Sequence, residues 1–315
     1  MKDNSIRLNK VIADSGLASR RAADRLIEEG SVMVNGKKVY ELGVKVNPQK
    51  DRITVSGKPL KAKFENIYLM FNKPKGVLTT MDDPLERPTV KYFLGKVPTR
   101  VFPVGRLDWD SEGLLLLTND GDWANKIMNP HSEVTKTYLV KVNGEPNAEH
   151  LAKLTRGVSI EGGKVAARYI EKINKGKSKK YEWIKIIITE GKNRQIRQMF
   201  EKIGFDVLKL QRVSIGRLRL GSLERGEFVY LNDAAKDRVF LADNPQEIQE
   251  KKGYKGKAIQ QREKRALKGP RSEKLNMDAE DSRSKKSFFE KPKSQMGGFK
   301  KRPSSNFKYR SKKNF

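Results

Sequence analysis

Apolar positions in the first sixty residues fall into two helical stripes and then into short alternating runs. Leu8, Val11 and Ile12 share one face of a first helix, and a second is predicted from an N-cap at Ser19 through Ala22-Ala23-Asp24-Arg25-Leu26-Ile27 to Gly30. A hairpin follows: Val32-Met33-Val34, an Asn35-Gly36 type I′ turn, and Lys37-Lys38-Val39, with a further strand at Arg52 to Val55. This predicts a small α/β module over residues 1–62. From 63 to 243 apolar strands alternate with helical segments, starting at Ile67 to Phe71 and ending at Glu227 to Leu231. Strands are predicted between them at 101–104, 113–118, 137–142 and 183–189, and helices at 122–128, 148–154 and 193–203. Strands dominate, so the fold class is α+β. The periodicity then stops, and residues 244–315 are predicted to be a disordered Lys/Arg-rich tail without a core.

Charge sharpens this division. Of a formal net charge of +29 over 315 residues, the last 65 residues carry +16 and residues 1–250 carry +13. A basic body with a basic tail suits an acidic partner. A nucleic acid backbone is favoured over a membrane, because no amphipathic apolar-basic stretch accompanies the charge. Arg20, Arg21 and Arg25 gather at the start of the second helix and Lys37 and Lys38 flank the hairpin turn, an arrangement suited to phosphate contacts or simply to a solvated face. The stretch "SRRAADRLIEEGSVMVNGKKV" resembles an S4 RNA-binding domain.

The chemistry available is restricted by what is missing. Zero cysteines exclude disulfides, Cys-ligated zinc, iron-sulfur clusters and thiol nucleophiles. The two histidines, His131 and His150, read as surface residues and are given no role. No P-loop and no dinucleotide fingerprint is present. The opening Met1-Lys2-Asp3-Asn4 has no apolar run after it, so neither a signal peptide nor a membrane span is expected, and the cytoplasm is the expected location.

The densest cluster of acids is Asp108, Asp110 and Glu112 in "GRLDWDSEGLLLLTNDG". A calcium loop fails at Leu116 and Asn119, where ligands are required. An ordinary inter-strand loop, a two-metal nuclease and a glycosidase carboxylate pair all remain open on spacing alone. This stretch closely resembles the central motif of RNA pseudouridine synthases of the RsuA/RluB branch. "FNKPKGVLTTMDDPLERPTV", "KTYLVKV" and "EGKNRQIRQMFEKIGFDVLKLQRVSIGRL" agree with it in order. "DPLERPTV" and "LTRGV" resemble the large-subunit RluB type more than the small-subunit RsuA type.

The resemblance implies an isomerase that turns one uridine of ribosomal RNA, preferably 23S RNA or a large-subunit assembly intermediate, into pseudouridine without cofactor or metal. Asp108 is then the catalytic carboxylate, either attacking C1′ or initiating a glycal intermediate. Arg197 of "QIR" is its expected cationic partner, with Ile196, Met199, Phe200 and Ile203 forming the buried stripe of the same helix. Tyr138 is expected to stack on the target base and to take the C5 proton. Lys192, Asn193 and Arg194 are assigned to phosphate contact, Arg106 to positioning the Asp108 loop or touching RNA, and Lys73 and Lys75 to backbone contacts as exposed ammonium groups. A monomer is expected. The opposing reading is a ribosome-assembly factor that keeps the fold and binds RNA without turnover.

Overall fold

A computed structural model describes residues 5–60, 64–95, 97–173 and 180–243. The tail assigned to 244–315 lies outside the described residues. Strand β1 (Ile6–Arg7) leads into α1 (Leu8–Asp14), and α2 (Arg20–Glu28) follows, with the Ser19 hydroxyl accepting from the Ala22 amide as its cap. Strands β2 (Val32–Val34) and β3 (Lys37–Val39) form the predicted hairpin, with Asn35 at φ 52° and Gly36 at φ 83°, as a type I′ turn requires. Strand β4 (Lys45–Val46) pairs with β1, while β5 (Ile53–Val55) joins β2 and turns into β6 (Lys58–Pro59). Leu8, Val11, Ile12, Ala23, Ile27 and Val32 close a core under the two helices. Arg20, Arg21 and Arg25 are left on the exposed face.

The remaining elements build one mixed sheet. In chain order these are β7 (Tyr68–Lys73), β8 (Phe102–Val104), β9 (Ser111–Thr118), α3 (Gly121–Met128), β10 (Lys136–Asn143), α4 (Ala148–Arg156), β11 (Val158–Ile160), β12 (Gly163–Val165), β13 (Tyr169–Lys172), β14 (Tyr181–Ile188), α5 (Gln195–Glu201), β15 (Val207–Ile215), β16 (Leu218–Arg219), β17 (Phe228–Tyr230) and α6 (Asp233–Arg238). The sheet runs β13-β14-β10-β15-β9-β7-β17, with β8 added to β9 and β16 to β15, and a separate β11-β12 hairpin. Every pairing in it is antiparallel except β15 with β9, where Leu210 faces Ser111 and Arg212 faces Gly113.

Both faces of the sheet are covered, which is why β9 reads Gly-Leu-Leu-Leu-Leu without alternation and is buried from Ser111 to Thr118. Leu115 and Leu117 pack with Tyr138, Ile186, Met199 and Phe200 on one side, and Leu114 and Leu116 pack with Trp123 and Ile127 on the other. Three differences from the sequence reading bear on the site. Helix α5 begins at Gln195 rather than at 193, because Arg194 adopts φ +44° and turns the chain out of the helix. Strand β9 starts two residues early, at the end of the acidic loop. The nine-residue β15 was not among the predicted strands: Lys209, Gln211 and Arg212 interrupt its apolar run, yet it is the central neighbour of both β10 and β9.

Candidate active site

The acidic loop lies between β8 and β9, at the one parallel junction of the sheet. Gly113 permits that junction: at φ +108° it lies so close to β15 that a Cβ there would sit 2.2 Å from the Arg212 carbonyl oxygen. Three side chains brace the loop. Thr79 Oγ1 donates to the Leu107 carbonyl at 2.6 Å, and Arg197 donates to the Asp110 carbonyl at 3.3 Å and the Val207 carbonyl at 3.0 Å. The ammonium of Lys73 donates to the carbonyls of Ser111 at 2.8 Å, Asp108 at 3.0 Å and Pro74 at 3.1 Å.

Lys73 therefore corrects an expectation. It is 0% exposed rather than a surface ammonium. Residue 73 ends a strand buried on both faces, and its amine is directed onto the carbonyls of the acidic loop instead of into solvent. Burial lowers its pKa to about 8, with Asp108, Asp110 and Glu112 opposing the fall. Lys75, two residues on, is exposed.

Asp108 keeps a partly exposed carboxylate and lines a small open cleft with Arg106, Ser111, Tyr138, Lys192 and Arg194. The cations are distributed differently from the expectation. Arg197 Nη2 meets Asp110 Oδ2 at 3.0 Å, while Arg194 Nη1 lies 3.5 Å from Asp110 Oδ1 and 4.0 Å from Asp108 Oδ2. Arg197 pairs with Asp110 because its guanidinium is half-buried, fixed between β15 and the loop; Arg194, outside the helix, is exposed and reaches the cleft. Burial draws the Arg197 guanidinium below its ordinary value, with Asp110 acting in the opposite sense.

Tyr138 is buried on β10 with its ring at the cleft, and its hydroxyl oxygen accepts from Arg212 Nη1 at 3.5 Å. Lys192 Nζ donates to the Gly162 carbonyl at 2.7 Å and so is already engaged by the protein, whereas Asn193 and Arg106 are exposed. His150 closes a capping box with Asn147, and His131 is exposed in a short 3-10 turn.

A larger cavity of about 910 Å³ lies between the N-terminal helices and the sheet, lined by Lys10, Arg20, Arg21 and Arg100 among others. Arg25, Lys37 and Lys38 are exposed but are not among the residues lining it. The smaller cleft is the better candidate for chemistry, because it joins the accessible Asp108 carboxylate to the buried Tyr138 and the exposed Arg194, while the larger offers basic groups for binding. Sequence reasoning missed Ser111, Arg212, Thr79 and Arg100. Ser111 and Arg212 are polar residues inside strands, and Thr79 and Arg100 lie in irregular segments; neither setting carries a periodic signal of which way a side chain faces.

Comparison with known proteins places the chain in a family. Residues 67–202 match the family model described as RNA pseudouridylate synthase, and residues 6–53 match the S4 domain. The ribosomal large subunit pseudouridine synthase B of Bacillus subtilis is 48% identical over 221 residues, covering 70% of this chain and 90% of that protein. The chain belongs to the RNA pseudouridine synthase family. This pseudouridine synthase is an isomerase acting on RNA, built as an S4 domain followed by a largely antiparallel catalytic sheet. The dual-specificity RNA pseudouridine synthase RluF of Escherichia coli is 39% identical over 235 residues, covering 74% of this chain and 78% of that one. A crystal structure of a pseudouridylate synthase is 31% identical, with a TM-score of 0.53 over 75% of this chain and all of that one. Among the described residues no helix is long and apolar enough to cross a membrane.

Proposed function

We propose that this synthase isomerises one uridine of large-subunit ribosomal RNA, with Asp108 as the catalytic carboxylate and no cofactor. The likeness to a large-subunit synthase at 48% identity supports the substrate. The observation that carries the site is the placement of Asp108: Lys73 holds its carbonyl and Thr79 holds the adjoining Leu107, while its carboxylate remains accessible in a cleft with Tyr138 and Arg194. The reaction breaks C1′–N1, forms C1′–C5, removes the proton from C5 and returns one to N1, so nothing is added and no redox partner is needed. A carboxylate acting at C1′ has to be ionised and held still. Arg194 supplies the nearby positive charge, and Arg197 steadies the loop through Asp110.

The target base must leave its stack to reach Asp108, and Tyr138 lines the cleft that it enters. Residues 1–62 form the docking module, with Arg20 and Arg21 facing the large cavity, and residues 63–243 form the catalytic domain. Lys75, Arg106, Lys192, Asn193 and Arg194 edge the site where the RNA backbone passes. The protein acts as a monomer in the cytoplasm.

Carbodiimide mapping of ribosomal RNA from cells lacking the protein, and from cells restored with wild type or Asp108→Asn, tests this. One stop should vanish in the deletion strain and return only with wild type. A stop restored equally by Asp108→Asn would remove the carboxylate from the mechanism, and an identical map in all strains would remove ribosomal RNA as the substrate.

A further inference from the structure

Three buried hydroxyls, those of Ser111, Ser214 and Thr99, have no hydrogen-bond partner among the described residues. Only Ser111 lines the cleft that holds Asp108. The residue is 1% exposed, its amide donates to the Asp108 carbonyl at 3.1 Å and its carbonyl accepts from Lys73. A buried hydroxyl without a partner is costly, and alanine would fit in its place, so the fold alone gives no reason for it.

Beside it, Arg212 is 4% exposed and has no carboxylate partner among the described residues. Its Nε donates to the Leu114 carbonyl at 2.7 Å, its Nη1 approaches the Tyr138 hydroxyl at 3.5 Å, and its Nη2 is unpaired. A guanidinium can only donate. The Tyr138 oxygen therefore accepts from it, which leaves the phenolic hydrogen available to another acceptor. Lys136, whose pKa burial and then Arg212 lower to about 8, adds positive charge to the same neighbourhood. The cleft thus places two hydroxyls, those of Ser111 and Tyr138, beside the Asp108 carboxylate and over a positive background.

The geometry points to a carbonyl-recognition floor, in which Ser111 Oγ and the Arg212-backed hydroxyl of Tyr138 donate to a carbonyl oxygen of the target uracil and so select it over cytosine. This rests on the pseudouridine-forming reading of the site and adds how the base is recognised. Turning uracil about the axis through N3 and C6 exchanges N1 with C5 and O2 with O4. A fixed donor set therefore meets a carbonyl oxygen both before and after the turn. Cytosine would bring its amino group to the same donors in one of the two orientations, and a site built to donate rejects another donor.

The test is an atom-by-residue cycle with the full chain and a transcript of the ribosomal segment found by mapping, carrying uridine, 2-thiouridine or 4-thiouridine at the target. Sulfur accepts hydrogen bonds poorly. Single-turnover formation of the isomerised nucleoside is read by chromatography of the digested RNA. Wild type should slow by about five- to tenfold on at least one thio-RNA, the size of one lost hydrogen bond. Ser111→Ala should lose a similar factor on uridine, show little further loss on that thio-RNA, and melt no lower than wild type. Tyr138→Phe, which keeps the ring, should also blunt the difference. Equal losses by Ser111→Ala on all three RNAs, or no loss on any, would overturn the recognition role. Failure of wild type to convert the uridine transcript would instead refute the enzymatic reading on which it rests.

Discussion

Replacing Lys73 by methionine separates the support of the acidic loop from its chemistry. The substitution keeps a long apolar stem but leaves the carbonyls of Pro74, Asp108 and Ser111 without their donor. Each buried carbonyl left unpaired costs about 1–3 kcal/mol. Against this, methionine relieves the desolvation of the amine, about 3 kcal/mol for a fall from 10.5 to about 8, at about 1.4 kcal/mol for each tenfold change in proton affinity. At about 2 kcal/mol per carbonyl the net loss at pH 7 is about 3 kcal/mol, or about 6–12 °C in Tm for a unit of this size. The pH dependence supplies a second reading. The folded pKa lies below the unfolded one, so between pH 8 and 10.5 the unfolded chain holds a proton that the folded chain has released, and this lysine makes wild-type stability rise with pH there. Methionine has no such proton, and the gap between the two proteins should widen by about 2.5 kcal/mol from pH 7 to pH 10. Thermal unfolding followed by circular dichroism at both pH values measures it. A Tm within about 2 °C of wild type at pH 7, or a gap that narrows as pH rises, would show that Lys73 does not hold the loop through a buried, proton-dependent contact.

Two further outcomes follow from the same geometry. Gly113→Ala forces a Cβ to within 2.2 Å of the Arg212 carbonyl and should cost more than about 3 kcal/mol, read as a sharp fall in denaturation midpoint; an unchanged midpoint would mean the β9–β15 junction can open. Arg20→Ser and Arg21→Ser should each weaken RNA binding and lower the slope of log affinity against log salt by about 1, measured by filter binding over a salt series, and an unchanged slope would place the RNA elsewhere than the large cavity.

The sequence by itself determined those features that depend on local periodicity and on consecutive residues. The stripe of Leu8, Val11 and Ile12, the Ser19 cap, the Asn35-Gly36 turn and the unbroken leucines of β9 each report a backbone conformation or a buried face within a few residues of chain. The acidic loop was likewise legible, because Asp108, Asp110 and Glu112 lie within five residues. Tertiary structure alone decided which partner each polar group meets. Lys73 and Lys75 lie two residues apart, yet one is buried on three carbonyls and the other faces solvent, because β7 ends at residue 73. Arg194 and Arg197 both reach Asp110, but of the two it is Arg194, turned out of α5 by its own left-handed backbone, that also approaches Asp108. Ser111 and Tyr138 line the same cleft because β15, some hundred residues later in the chain than Ser111, inserts parallel to β9 and antiparallel to β10. Periodicity records that a face is buried; the order of strands, set by packing both faces of the sheet at once, determines what lies on the other side of it.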